Sequence, residues 1–190
     1  MLYIACAVLW LLRFALGASI FSFLGVCACC AAFGGETARA ALTFAVLGIL
    51  TVVAFMDIDT LEIYDRFPAL LLVCGAAAQF VFPGPGIASR LLGCVIVSLP
   101  MLLLALVVPG GFGGGDIKLM FGAGFFLGAR LTVVAAFLGI LLGGGFGALL
   151  LAAKKADRKT RFAFGPFLCI GIAAAMFFGE RLADWYIGLL

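Results

Sequence analysis

Histidine is absent from this chain. That absence removes Ser-His catalysis and histidine-based metal sites, and leaves carboxylates, hydroxyls, thiols and lysine as the available chemistry. Charge is scarce too: only 11% of the 190 residues are charged, against roughly a quarter in soluble domains. With 66% hydrophobic residues and a mean hydropathy of +1.33, the chain reads as an integral membrane protein. No pair of CxxC units occurs, so a structural zinc site is not expected. The seven cysteines (Cys6, Cys27, Cys29, Cys30, Cys74, Cys94 and Cys169) all lie inside apolar runs, where a free thiol behaves as a small hydrophobe. No basic n-region precedes the first apolar stretch and no soluble domain follows it, so a cleavable signal peptide is not expected.

What is present is a series of long uncharged runs. Residues 14–35, 40–56, 67–89, 91–115, 131–153 and 162–179 carry no Asp, Glu, Lys or Arg. Most are long enough for a membrane helix, which needs about 17–25 residues. They lack the alternation over roughly ten residues that barrel strands show. The expected fold is all-α, a polytopic bundle of six to seven membrane helices forming one domain over residues 1–190, with neither linker nor internal repeat.

Charge placement orients the bundle. The densest basic run, from Lys154 to Arg161, is expected to be cytoplasmic by the positive-inside rule. Counting back, 131–153 runs inward, Ile117–Leu127 is a short outward segment, and 87–108 runs inward. The turn from Phe82 to Gly86 is then outside, the next helix starts inside at Pro68, and the Ala40–Met56 helix ends inside. A further helix is expected over 14–33, with Glu36, Arg39 and residues 181–190 outside and Trp185 and Tyr186 in the interfacial belt. Two acidic clusters therefore fall on one cytoplasmic edge.

The first cluster is Asp57 with Asp59, Glu62 and Asp65; the second is Asp116, after glycines at 110, 111, 113, 114 and 115. A carboxylate beside lipid is costly unless paired, solvated or used chemically. The glycines let the backbone bend sharply and approach a bound peptide. Asp116 opens a helix as an N-cap, a role compatible with catalysis. Most acids of the first cluster read as a solvated loop. Asp57 is less easily dismissed, because a negative charge at a helix C-terminus is unfavourable. Two neighbouring carboxylates push one pKa up, so that one is ionised and the other protonated near neutral pH. The ionised member can activate water while the protonated one polarises a carbonyl. Lys118 reads as snorkelling to the interface.

These residues resemble a known family. Gly113-Gly114-Gly115-Asp116-Ile117-Lys118-Leu119 is similar to the GxGD segment of type IV prepilin peptidases. The segment Met56-Asp57-Ile58-Asp59-Thr60-Leu61-Glu62-Ile63-Tyr64-Asp65 resembles the family's first aspartate and the element that follows it, with Tyr64 where proline is usual. Phe162 to Leu168 resembles its FGPFL element. The resemblance implies a membrane aspartic endopeptidase that cuts the basic leader from prepilins and pilin-like secretion subunits at the cytoplasmic face of the bacterial inner membrane. It makes Asp57 and Asp116 the catalytic pair, with Gly113, Gly115 and Lys118 in support. It implies pilin-like proteins and the lipid bilayer as partners, no nucleic acid, and no metal or organic cofactor. Many members also methylate the new N-terminus and carry a segment with paired CxxC motifs; this chain lacks that segment and resembles the peptidase-only form.

Two rivals have distinct signatures. The presenilin and signal-peptide-peptidase group would use Tyr64-Asp65, but Pro68-Ala69-Leu70 precedes GxGD here, where that group's PAL element follows it. A small proton- or cation-coupled transporter would place its acids near the midplane within an inverted repeat.

Overall fold

The computed structural model describes residues 37–81, 84–108, 112–153 and 163–188. Among them are six helices and no strand: α1 (Thr37–Thr60), α2 (Arg66–Val81), α3 (Ile87–Val107), α4 (Gly114–Leu127), α5 (Ala129–Ala152) and α6 (Gly165–Ile187). Four of them hold segments long and apolar enough to cross a membrane: Ala38–Thr60, Ile87–Val107, Ala129–Leu149 and Gly165–Ile187. The all-α polytopic architecture is the expected one. The helix expected over 14–33 and the basic run Lys154–Arg161 lie outside the described residues.

Inward, Val46, Leu50 and Val53 of α1 meet Leu71, Leu119, Met120, Leu168 and Ile172 in the core. Outward, large apolar side chains such as Leu92, Leu103, Phe137 and Leu141 are exposed, as a lipid-facing bundle requires. Helices α3 and α4 cross at Gly93 and Gly124, and a Cβ at either position would run into the other's main chain. Small residues let membrane helices approach this closely. The joint between α4 and α5 is the single residue Gly128, at φ 79°, a conformation that favours glycine; Pro85 fills the space a Cβ would need.

That same end is closed by Arg90. Its side chain is 1% exposed, and its Nη1 donates to the carbonyls of Gly75, Phe125 and Phe126 at 3.2, 3.0 and 3.0 Å while Nε donates to Pro85 at 3.1 Å. Phe125 and Phe126 belong to the last turn of α4, whose carbonyls have no partner within the helix. The guanidinium thus supplies donors and positive charge at the negative end of the helix dipole. Arg130 bridges to Glu180 and Asp184 nearby, on the surface.

The structure moves the expected end of α1. Helix α1 does not stop at Met56 but continues a turn further, through Asp57 to Thr60. The uncharged run ends where the apolar environment ends, whereas the helix ends where its backbone is capped. The cap is Leu61, left-handed at φ 55°, whose N–H donates to the Asp57 carbonyl at 3.0 Å.

Candidate active site

Three helix ends meet away from the Arg90 end: the last turn of α1, the first turn of α4 and the head of α6. Asp57 and Asp116 are carried there, 6% and 7% exposed, whereas Asp59, Glu62 and Asp65 are exposed. Both buried acids line one open cleft of about 360 Å³, walled by the loop Leu61–Tyr64 and by Gly113, Gly114 and Gly115. Phe112 and Phe164 pack edge to face with ring centroids 5.5 Å apart, bracing the glycine turn against the head of α6.

Asp116 is not the N-cap that the sequence suggested. Gly113 holds that position, and Asp116 is the third residue of α4. Its Oδ2 reaches back to accept from the Gly113 N–H at 3.3 Å, while the Asp116 N–H donates to the Gly113 carbonyl at 3.1 Å. A carboxylate at the third helical position capping backwards in this way is the familiar complement of an N-cap. The other oxygen, Oδ1, is buried with no hydrogen-bond partner among the described residues. Asp116 lies outside the apolar spans, and its pKa is pushed up from 3.8 to about 7. Burial is the main cause and the negative charge of Asp57 the second; the Gly113 N–H works the other way.

Asp57 is held differently. Its Oδ2 accepts from the Gly165 N–H at 2.8 Å in a buried bond, and a Cβ on residue 165 would stand 2.8 Å from that oxygen. Only glycine lets the amide come so close. In sequence the segment Phe162–Leu168 carries a family resemblance but no evident task. The available signal was a Gly-Pro pair opening an apolar run, which marks a helix start with an amide to spare.

The supporting residues behave unequally. A Cβ on Gly115 would be 2.8 Å from the Cβ of Ile63, so this glycine admits the chain's own loop, whereas a Cβ on Gly114 would meet nothing. Lys118 does not reach the dyad: its Nζ bridges both oxygens of Asp65 at 2.7 and 2.8 Å, on the surface. That pair ties the loop after α1 to α4. Among the described residues no three His, Cys, Asp or Glu side chains are placed to hold a metal ion.

Two buried carboxylates, one of them half protonated near neutral pH, with an unpartnered oxygen beside an open cleft, are suited to hydrolysis by an activated water. Comparison with known proteins points the same way. The profile of the type IV leader peptidase family matches residues 44–148. The prepilin leader peptidase/N-methyltransferase of Bacillus subtilis (strain 168) is 30% identical over 141 residues, covering 74% of this chain and 57% of the relative. That of Legionella pneumophila is 31% identical over 156 residues, covering 77% and 54%. That of Aeromonas salmonicida (strain A449) is 26% identical over 147 residues, covering 75% and 50%. The chain thus spans about half the length of the curated relatives it matches. No solved structure matches it significantly.

Proposed function

The chain belongs to the type IV leader peptidase family, and from that premise we propose that it is an aspartic endopeptidase removing the leader from prepilins or pilin-like precursors, with Asp57 and Asp116 as its catalytic pair. The observation that carries this reading is the convergence of two buried carboxylates, from α1 and α4, on one cleft. One carboxylate takes a proton from water, whose oxygen attacks the scissile carbonyl carbon. The other gives its proton to the carbonyl oxygen. The tetrahedral intermediate then breaks its C–N bond as a proton passes to the leaving nitrogen and a hydroxyl proton returns to the carboxylate that had given one up. Neither step calls on a metal or organic cofactor.

In this reading the protein is a multi-pass enzyme of the bacterial inner membrane, forms one domain and opens its cleft to the cytoplasm, the side that the run Lys154–Arg161 marks by the positive-inside rule. Glu62 on the cleft wall, with Asp59 and Asp65 close by in sequence, draws in a basic leader, an attraction that salt weakens. The presenilin-like alternative would make Asp65 the partner of Asp116, but the Asp65 carboxylate is exposed and engaged by Lys118.

The test is cleavage, by purified protein, of a precursor with a basic leader ahead of an apolar helix. Wild type and Asp65→Asn should cut it, whereas Asp57→Asn and Asp116→Asn should not. Absence of cleavage by the wild type would remove the proposal, and loss only in Asp65→Asn and Asp116→Asn would transfer it to the presenilin-like pairing.

A further inference from the structure

We infer that the main-chain amide of Gly165 divides the labour within the pair: it holds Asp57 as the ionised carboxylate that takes a proton from water, and leaves Asp116 as the carboxyl that carries the shared proton. The inference rests on the aspartic reading above and deepens it.

The argument starts with the donors at the head of α6. The first amides of a helix have no partner within it and bear the positive end of its dipole. Here Pro166 has no N–H, and the amides of Phe167 and Leu168 turn back to the Phe164 carbonyl at 3.1 and 3.3 Å. The Gly165 amide is the donor left over, and it points at Asp57 Oδ2 from 2.8 Å. A hydrogen bond from a helix N-terminus is worth most to an ionised acceptor. The bond is also sterically specified, because any side chain at 165 would press on the Asp57 carboxyl carbon, 3.0 Å from where a Cβ would stand.

Asp116 has no equivalent. Its one donor, the Gly113 amide, is longer at 3.3 Å, and its Oδ1 is buried without a partner. Burial and the neighbouring charge of Asp57 both favour its protonated form, and its pKa reaches about 7. No described cation redresses this: Lys118 is engaged by Asp65. Among the described residues, the other titratable groups around the pair are Glu62 and Tyr64 on the cleft wall and the buried Cys169, one turn further along α6.

The hydrolytic step then has a direction. Asp57 removes the water proton as the C–O bond forms and Asp116 delivers its proton to the carbonyl oxygen. As the C–N bond then breaks, Asp57 returns its proton to the amine nitrogen and Asp116 regains one from the hydroxyl that becomes the new carbonyl. Gly165 touches no reacting atom; it is a positioning residue acting through Asp57.

Infrared spectroscopy of the resting enzyme tests the assignment without substrate. The carbonyl stretch of a protonated carboxyl, followed across neutral pH, should vanish in Asp116→Asn and persist in Asp57→Asn, titrating there at lower pH. A band lost in Asp57→Asn and kept in Asp116→Asn would overturn the inference. Kinetics supply a second readout. Gly165→Ala should move the acid limb of the kcat/KM profile up by about one to two pH units, the worth of a hydrogen bond to a charged group, and move the alkaline limb far less. A uniform loss of rate with both limbs in place would show Gly165 to be merely structural. Should Gly165→Ala fail to fold, the infrared comparison still decides. Should the wild type cut no precursor, the proposed function fails while the infrared result stands by itself.

Discussion

Replacing Arg90 by methionine should destabilise the protein markedly although the residue lies at the end of the bundle remote from the dyad. The substitution keeps most of the side chain's length and apolar stem and removes every donor. Four hydrogen bonds go with it, and two of them serve the Phe125 and Phe126 carbonyls in the last turn of α4. Each orphaned buried carbonyl costs about 1–3 kcal/mol, and loosening of Pro85 and Gly75 adds to this. The opposing gain is relief from burying a guanidinium whose Nη2 makes no hydrogen bond, an effective penalty of a few kcal/mol that the negative end of α4 already offsets. The balance is a net loss of about 2–4 kcal/mol, or roughly 5–15 °C in unfolding temperature for a chain of this size. A thiol-reactive fluorescent dye can follow thermal unfolding in detergent, because Cys94 and Cys169 are free and buried. Arg90→Lys, which keeps a charge and three donors but not the planar fork, should fall between wild type and Arg90→Met. An Arg90→Met protein as stable as wild type would refute the reasoning, since desolvation of the guanidinium would then cancel all it does for α4.

Other outcomes follow from the site. Cleavage should fall about tenfold per pH unit above 7 as Asp116 loses its proton, a limb visible in the pH profile of kcat/KM. Stability should carry the same signature: the folded state holds a proton on Asp116 that the unfolded state releases near 3.8, so stability falls as pH rises from about 4 to 7 and is flat above. The effect is at most about 4 kcal/mol and should be absent from chemical unfolding of Asp116→Asn. Asp65→Asn should cost no more than about 1 kcal/mol in thermal unfolding and leave most of the cleavage rate, because its bridge to Lys118 is solvent-exposed. Gly124→Val should force α3 and α4 apart at a cost of about 3 kcal/mol or more, seen as loss of monodisperse protein in size-exclusion chromatography.

The helices and the shared end of the two acidic clusters were legible because a bilayer edge writes itself into the sequence as the edge of an uncharged run. Asp57 and Asp116 stood out for the same reason, as charges at such edges. Helix termini were less legible. Asp116 reads equally well as a cap or as the third residue behind a glycine cap, since both place a carboxylate near free amides. The continuation of α1 beyond Met56 depends on Leu61 adopting a left-handed conformation, which leucine seldom does. Contacts to main-chain atoms were not legible at all. The partners of Arg90 are carbonyls of α2, α4 and the turn before α3, and the partner of Asp57 is an amide 108 residues away. Sequence records side chains, and these bonds depend on where the backbone runs.

The distance along the chain between Asp57 and Gly165 has a consequence for the newly made protein. Helices enter the bilayer in the order of synthesis, so α1 arrives with its acid long before α4 brings the second and longer still before α6 brings the amide. A ribosome-bound intermediate that has inserted only the first five described helices holds both aspartates yet lacks the Gly165 amide that binds Asp57. On the proposed roles of the pair, the division between base and acid is set only when the last of these helices docks, so a half-built chain holding both carboxylates would lack the pH range of the finished one.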